Sequence, residues 1–210
     1  MAPRTGRVIV DGGLYHVLTR GNNHQAVFRQ DADCRRYLTL LAAYARACGL
    51  SVCHYALLPD HVHLIVEGSV GTSLSRAMLG LNLAYALYYR KRYGYHGHLW
   101  RGRFKSRLLS PGSELPEHGR YVELHPVRSG LVADPANYAW TSYRAHAQGA
   151  ADPVVSPHVW YRQLGVSDVE RRAWYRRFVL EALSAPSPEP IFRAGGPGRP
   201  RKLQPGPLSM

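Results

Sequence analysis

The sequence predicts an α+β fold, in which one four-stranded sheet and three helices form a core that is followed by a helical extension. Three observations predict it. Hydrophobic residues alternate in four short segments, they recur at helical spacing in three longer segments, and the two kinds of segment follow each other in a recognisable order. The chain has 210 residues, of which 45% are hydrophobic, which suffices for one compact domain with extensions.

The predicted element order is strand, helix, strand, strand, helix, strand, helix. The expected ranges, in that order, are residues 13–20, 31–48, 51–58, 61–67, 72–93, 103–109 and 114–124. Pro126 is expected to end the last helix, because the residue before a proline avoids helical geometry. The first six elements match a ferredoxin-like βαββαβ sandwich, whose two helices cover one face of the sheet. The other face is left free for a site, and the additional helix is expected on or beside it.

The chain divides into three predicted regions. Residues 1–128 hold the core, and residues 129–183 form a helical C-terminal extension that packs on it, because aromatic residues and helical spacing continue there. Residues 184–210 are rich in Pro, Gly and Arg and poor in large apolar residues. Such a segment is expected to be disordered when free.

Charge and cysteine content narrow the class of protein. The formal net charge is +13, from 27 basic and 14 acidic residues, which favours a nucleic-acid partner over a basic surface kept for solubility or for anionic membrane. The three cysteines have no CxxC spacing, which indicates reduced thiols in a cytoplasm. No apolar run approaches the roughly 20 residues of a membrane span, so no membrane partner is expected.

The string His61-Val62-His63 is a candidate metal site. Residues two apart on a strand face the same side, so both imidazoles project together, and paired imidazoles suit a divalent cation. A third ligand has to come from elsewhere. His54 also falls near this face if Pro59-Asp60 is the hairpin turn. The alternative is that the two histidines are ordinary polar residues of a solvated face.

Tyr121 and His125 form a second candidate. Positions i and i+4 of a helix share a face, so both side chains point the same way and Glu123 points elsewhere. A tyrosine one helical turn from a metal ligand is the arrangement that a metal-assisted tyrosine nucleophile needs. The alternative is that Tyr121, one of 14 tyrosines, packs in the core.

Two basic stretches are candidate DNA contacts. Residues 98–107 interleave basic and aromatic side chains, which suits single-stranded nucleic acid; alternatively, this is a solvated loop whose Trp100 and Phe104 anchor the core. In the tail, Gly198 and Pro200 are flanked by basic residues as in an AT-hook, which lays arginine into a narrow minor groove. The alternative there is a nonspecific electrostatic tether. The basic tail residues in question are Arg199, Arg201 and Lys202.

Four strings together resemble the REP-associated tyrosine transposases, a bacterial branch of the single-tyrosine HUH transposases. They are residues 15–17 with 20–23, residues 58–64, residues 97–106 and residues 121–128. The resemblance runs in the same order over roughly residues 8–143. It implies that Tyr121 attacks a phosphodiester of single-stranded DNA, which leaves a 5′-phosphotyrosyl enzyme and a free 3′-hydroxyl that can re-attack to join strands.

The resemblance also implies partners and ligands. The DNA would be an imperfect palindrome folded into a hairpin, and His61 and His63 would bind Mg or Mn. His125 stands where the family usually has Asn or Gln, and a third imidazole favours Mn or Zn over Mg. The implied DNA-binding residues of the core are Arg20, Asn22, Asn23, Trp100, Arg101, Arg103 and Lys105.

Other readings stay open. The chain could be a DNA-binding protein that has lost transposition, or a metal hydrolase that uses activated water and keeps Tyr121 for structure. A bacterial, nucleoid-associated location in the cytoplasm is expected. Related small transposases form homodimers with the tyrosine helix swapped between subunits, whereas this branch can act as a monomer, and the sequence does not choose between them.

Overall fold

The computed structural model describes residues 10, 12–69, 73–110, 112–184 and 191–192. The order of the seven predicted elements is confirmed, and three helices follow them. The elements are β1 (Leu14–Arg20), α1 (Asp31–Ala47), β2 (Leu50–Leu58), β3 (His61–Gly68), α2 (Leu74–Tyr93), β4 (Lys105–Leu109), α3 (Glu114–Arg128), α4 (Tyr143–Gln148), α5 (Val159–Arg162) and α6 (Asp168–Glu181).

The four strands form one sheet in the order β2-β3-β1-β4, and every neighbouring pair is antiparallel. This order results when two strand–helix–strand units interleave, so the ferredoxin-like α+β prediction is confirmed. In the central pair, Arg20 lies opposite His61 and Leu18 opposite His63. The end of β1 and the start of β3 therefore place these side chains at one end of the two central strands.

One face of the sheet packs against α1 and α2. Alternate strand residues such as Val17 and Leu64 point into this layer, where they meet helix residues that include Tyr37, Leu81 and Tyr85. All five side chains are buried. This main core uses the odd positions of β1 and the even positions of β3, and the histidines of β3 consequently face the other way.

The opposite face is covered in part by α3. Leu115 and Val122 of this helix pack on Leu14 and Ile65 of the sheet. The amphipathic spacing of α3 thus buries one side against the strands. The predicted position of the additional helix on the free face is confirmed, and its contact runs mainly along β2 and β3.

Three predicted boundaries are wrong by two or more residues, and the first is the start of α2, which lies at Leu74 instead of residue 72. Helix α3 continues through Pro126 to Arg128 instead of ending at Leu124. Pro126 removes one backbone donor close to the helix end, and the last turn is kept because the Ser129 N–H donates to the His125 carbonyl at 2.9 Å. Strand β4 begins at Lys105 rather than at residue 103, because residues 101–103 form a bend in which Gly102 has a φ of +132°.

The C-terminal helices pack against the outer side of α3. Leu124 lies in a cluster with Tyr143 of α4, Tyr161 of α5, and Tyr175 and Val179 of α6. The division of the chain at residue 128 into core and extension stays a prediction. The predicted tail lies largely outside the described residues, and with it Arg199, Arg201 and Lys202. Among the described helices, none has the length and apolar character that would let it cross a membrane.

Candidate active site

Three histidines converge on the sheet face that α3 partly covers. His61 and His63 come from the start of β3, and His125 comes from the last turns of α3. The Nε2 atoms of His61 and His125 are 3.0 Å apart. One ring nitrogen from each of the three histidines lies within 4.8 Å of the others. The structure thus brings together all three predicted ligands.

The hydrogen bonds of the two β3 histidines fit a bound cation. Asp60 Oδ1 lies 2.5 Å from His61 Nδ1, so in the neutral ring that nitrogen donates and Nε2 keeps its lone pair. His63 Nδ1 lies 2.8 Å from His16 Nε2, while His63 Nε2 is buried without a partner among the described residues. A buried, unpartnered nitrogen is costly. A metal ligand oriented through its second ring nitrogen accounts for it.

The protonation of these rings also suits a metal. Burial lowers the pKa of His63 well below its ordinary value, and neighbouring His16 and His125 lower it further. Burial, followed by the proximity of His61, lowers the pKa of His125 to about 4. Both imidazoles are therefore neutral at neutral pH, and a neutral imidazole is the form that ligates.

Tyr121 lies beside this triad. Its ring centroid is 5.3 Å from that of His125, one helical turn further along α3, and 5.7 Å from that of His63. Burial raises the pKa of Tyr121, although the nearby Arg128 and Arg20 act in the opposite sense. The phenol is thus protonated at neutral pH and needs help to become a nucleophile.

His16 is a site residue whose role sequence reasoning missed. Its Nε2 faces His63, and its Nδ1 lies 2.8 Å from Nδ1 of His118 on α3. The three imidazoles form a hydrogen-bonded chain that leads away from the site. Strand alternation already placed His16 on the same face as Leu14 and Leu18, but its pairing with β3 needed the register of the sheet.

Phe192 also lies on this face. Its ring centroid is 5.1 Å from that of His16 and 6.4 Å from that of His63. It borders a small cavity of about 130 Å³. The other residues that line the cavity are Leu18, Arg20, Arg101, Gly102, Arg103 and Lys105.

The core residues predicted to bind DNA come from the turn after β1 and from the loop before β4, and these two segments meet at one edge of the site. The Asn22 N–H donates to the Leu99 carbonyl, and the Arg101 N–H donates to the Arg20 carbonyl, both at 2.8 Å. Through these bonds the turn after β1 lies against the loop before β4. The predicted residues Asn23, Arg101, Arg103 and Lys105 are exposed there, while Arg20 and Asn22 are half-buried.

Trp100 faces inward from that loop. Its indole N–H donates to the Asn82 carbonyl at 3.0 Å, and its ring lies 5.8 Å from that of Tyr85 in the main core. Phe104 is buried in the same core. The geometry therefore favours the anchoring interpretation of both aromatic residues, and a stacking contact between Trp100 and DNA stays a prediction.

A second polar cluster lies behind α3, and sequence reasoning missed it apart from placing Glu123 away from Tyr121. Glu123 is fully buried. Its Oε1 lies 3.0 Å from His54 Nδ1 and 3.1 Å from His146 Nδ1. It also accepts hydrogen bonds of 2.7 Å from the hydroxyls of Ser142 and Tyr175. His54 thus lies on the site face, as predicted, but it joins this cluster and not the triad.

Comparison with one solved structure agrees with this fold. A structure of a REP-associated tyrosine transposase bound to a REP hairpin is 16% identical to this chain, with a TM-score of 0.59 over 75% of this chain and 93% of that one. A presumed transposase from Deinococcus radiodurans R1 is 20% identical, with a TM-score of 0.41 over 58% and 96% of the two chains. No curated protein matches the chain.

The family model described as "Transposase IS200 like" matches residues 10–125, which is more than half of the chain. The matched segment begins before β1 and contains the two histidines of β3, Tyr121 and His125. Its last residues lie in the helix that closes the site. The chain therefore belongs to the IS200-like transposase family.

Proposed function

We propose that this transposase is a metal-dependent single-stranded DNA endonuclease and strand transferase with Tyr121 as its nucleophile. The observation that carries the proposal is the position of the Tyr121 ring beside three imidazoles whose available nitrogens converge. In this proposal His61, His63 and His125 hold a divalent cation. Mn or Mg is the expected ion, and the three nitrogen ligands extend the range to Zn.

The proposed chemistry is an exchange of phosphodiester bonds. Tyr121 Oη attacks the scissile phosphorus, a bond forms between them, and the bond to the 3′ oxygen breaks. The phenol loses its proton, and the departing 3′ oxygen takes one up. A cation bound by the histidines would polarise the phosphate and favour the phenolate. The 5′-phosphotyrosyl ester keeps the bond energy, so a 3′-hydroxyl can attack it in the reverse sense.

The proposed substrate is DNA that folds into a hairpin with a single-stranded flank. Support comes from the basic edge beside the site, where exposed Arg101, Arg103 and Lys105 can neutralise phosphates. The similar structure noted above holds a REP hairpin, and we extend that class of substrate to this chain. In the cell this implies action on bacterial chromosomal DNA. A contribution from the tail residues Arg199, Arg201 and Lys202, and a homodimeric state, remain predictions.

The first prediction tests the nucleophile. With a labelled single-stranded hairpin and Mn²⁺, the protein should form a covalent adduct that survives denaturation. Tyr121→Phe should abolish the adduct, because it removes only the attacking oxygen. His61→Ala is a companion variant that tests the metal site. It should also abolish the adduct while it spares hairpin binding, most of which comes from phosphate contacts and stacking.

Other outcomes would separate the competing functions. Cleavage that persists in Tyr121→Phe would remove Tyr121 from its role and indicate hydrolysis by activated water. Tight hairpin binding without any adduct, at every divalent metal tried, would indicate a DNA-binding protein that has lost strand transfer.

A further inference from the structure

We propose that Glu123 is a positioning residue, which fixes the rotation of α3 that presents Tyr121 and His125. Through Glu123, the C-terminal helices α4 and α6 take part in building the site. This inference rests on the proposed function, because it assumes that Tyr121 and His125 act there.

Helix geometry puts Glu123 opposite the two site residues. It lies two positions from each of them, and two residues correspond to about 200° around a helix of 3.6 residues per turn. A restraint on Glu123 therefore acts on the back of the helix whose front carries Tyr121 and His125. If α3 rotates, both site residues leave the β3 histidines together.

The restraint comes from four donors on three separate elements. His54 belongs to β2 and Tyr175 to α6. Ser142 is the N-cap of α4, and His146 lies within α4. Together they occupy both oxygens of the carboxylate. A buried carboxylate that loses its donors carries a large desolvation penalty. Only the observed rotation of α3 keeps all four of them.

Two of the donors, Ser142 and His54, are themselves fixed to the sheet. The Ser142 N–H donates to the Tyr55 carbonyl, and the Tyr55 N–H donates to Ser142 Oγ, each at 3.1 Å. His54 packs closely against Gly119 of α3, where an added Cβ would lie 2.9 Å from His54 Nε2. The frame that holds Glu123 is thus the same sheet that carries His61 and His63.

Hydrogen bonding explains this cluster better than a second metal. The spacing of His54, Glu123 and His146 is compatible with a cation. However, His146 Nδ1 also lies 3.1 Å from the Ser142 carbonyl oxygen. An oxygen that can only accept requires a proton on that nitrogen, so only His146 Nε2, which is buried without a partner among the described residues, stays available as a ligand. A metal is consequently an outcome that the experiment has to exclude.

Part of the restraint lies outside the segment that the family model covers. The match ends at residue 125, and Ser142, His146 and Tyr175 follow it. The extension is therefore more than a solubilising appendage, because it supplies three of the four donors that orient the helix with the nucleophile.

The test compares Glu123→Gln with Asp33→Asn. Asp33 is a matched control, since it is also a fully buried helical carboxylate and accepts hydroxyl bonds of 2.9 and 2.7 Å from Tyr88 and Tyr93, but on the opposite face of the sheet. Mn²⁺ binding to the DNA-free protein is measured by electron paramagnetic resonance. Glu123→Gln should weaken it by about tenfold, as the loss of a ligand's support does, and Asp33→Asn should leave it unchanged.

Both variants should lower the urea midpoint of unfolding, so the difference in Mn²⁺ affinity is the readout that a purely structural role would not produce. Tyr175→Phe removes a single donor from α6 and serves as a second test if Glu123→Gln does not fold. It should weaken Mn²⁺ binding in the same direction, by a smaller factor, and leave hairpin affinity unchanged.

Three results would overturn the inference. They are an equal loss of Mn²⁺ affinity in Glu123→Gln and Asp33→Asn, wild-type affinity in both Glu123→Gln and Tyr175→Phe, or two Mn²⁺ ions per wild-type chain that fall to one in Glu123→Gln. If the wild-type protein itself binds no Mn²⁺ and forms no adduct, the proposed function fails instead.

Discussion

Within the part of the chain that the structure describes, His63 has a hydrogen-bond partner for only one of its two ring nitrogens. If Nε2 ligates a cation, the proton must sit on Nδ1 and be donated to His16 Nε2 at 2.8 Å. His16 must then carry its own proton on Nδ1, which faces His118 Nδ1 at the same distance. Burial lowers the pKa of His16 well below its ordinary value, so the ring is neutral and carries a single proton. The position of the proton on His63 thus fixes its position on His16, whose Nδ1 then donates to His118.

This chain of imidazoles leads to a prediction for His16. His16→Leu removes the acceptor for the His63 N–H, and Mn²⁺ affinity should fall by about 10- to 100-fold, as measured for lost second-sphere partners of metal ligands. His16→Gln should restore part of the affinity because its amide oxygen can accept. Mn²⁺ titration of the DNA-free protein checks both. Wild-type affinity in His16→Leu would show that His63 needs no orienting partner.

Residue-level prediction from sequence worked where the geometry is local. The period of a strand aligned His61 with His63, and the period of a helix aligned Tyr121 with His125. The partners of Glu123 were out of reach, because His54 precedes it by 69 residues and Tyr175 follows it by 52. No local pattern connects side chains that only the packing of three elements brings together.

Helix α3 shows, on the scale of an element, the same difference between features that follow from local spacing and features that depend on packing. Its presence and its site face follow from the spacing of its residues, whereas its end does not, since the helix continues through the buried Pro126 to Arg128. The loop before β4 is the second example. Its alternation of basic and aromatic residues was compatible with two interpretations, and only packing shows that Trp100 and Phe104 face the core.

The close approach of α3 to the sheet predicts the effect of Gly119→Ala. The added methyl would lie 2.9 Å from a His54 ring that Glu123 holds in place, so α3 has to shift. Overpacking of this kind costs about 1–3 kcal/mol, which outweighs the roughly 0.5–1 kcal/mol that alanine gains over glycine in a helix. Urea unfolding should show a net loss of stability, and adduct formation should fall with it.

Gly112→Ala is the control for that variant. Its added methyl meets no described atom within 4 Å, so the free energy of unfolding should change by less than about 0.5 kcal/mol. If Gly119→Ala is as stable as this control, the contact between α3 and β2 is looser than the structure indicates.

Across the whole molecule, buried histidines tie stability to pH. Burial lowers the pKa of His16, His54 and His63, and lowers that of His125 to about 4. The unfolded chain therefore binds more protons than the folded one below pH 6.5. The stability that these groups contribute is present above that pH and is lost as the pH falls toward 4.

Urea unfolding in the presence of a chelator should accordingly show a falling free energy of unfolding from pH 6.5 to 4. Saturating Mn²⁺ at pH 7 should raise it, by about 2.7 kcal/mol at a hundred times the dissociation constant. A free energy that stays constant or rises on acidification would mean that these histidines are protonated in the folded protein.

Because α3 is enclosed on several sides, the short segment of residues 121–125 is restricted at every position. Five consecutive residues contact four different surroundings. Tyr121 and His125 face the site, Val122 packs on the sheet, Glu123 accepts from the four donors behind the helix, and Leu124 packs on the C-terminal helices. No position is left to vary freely. Such a pentapeptide tolerates few substitutions, which makes it an unusually dense signature for so short a string.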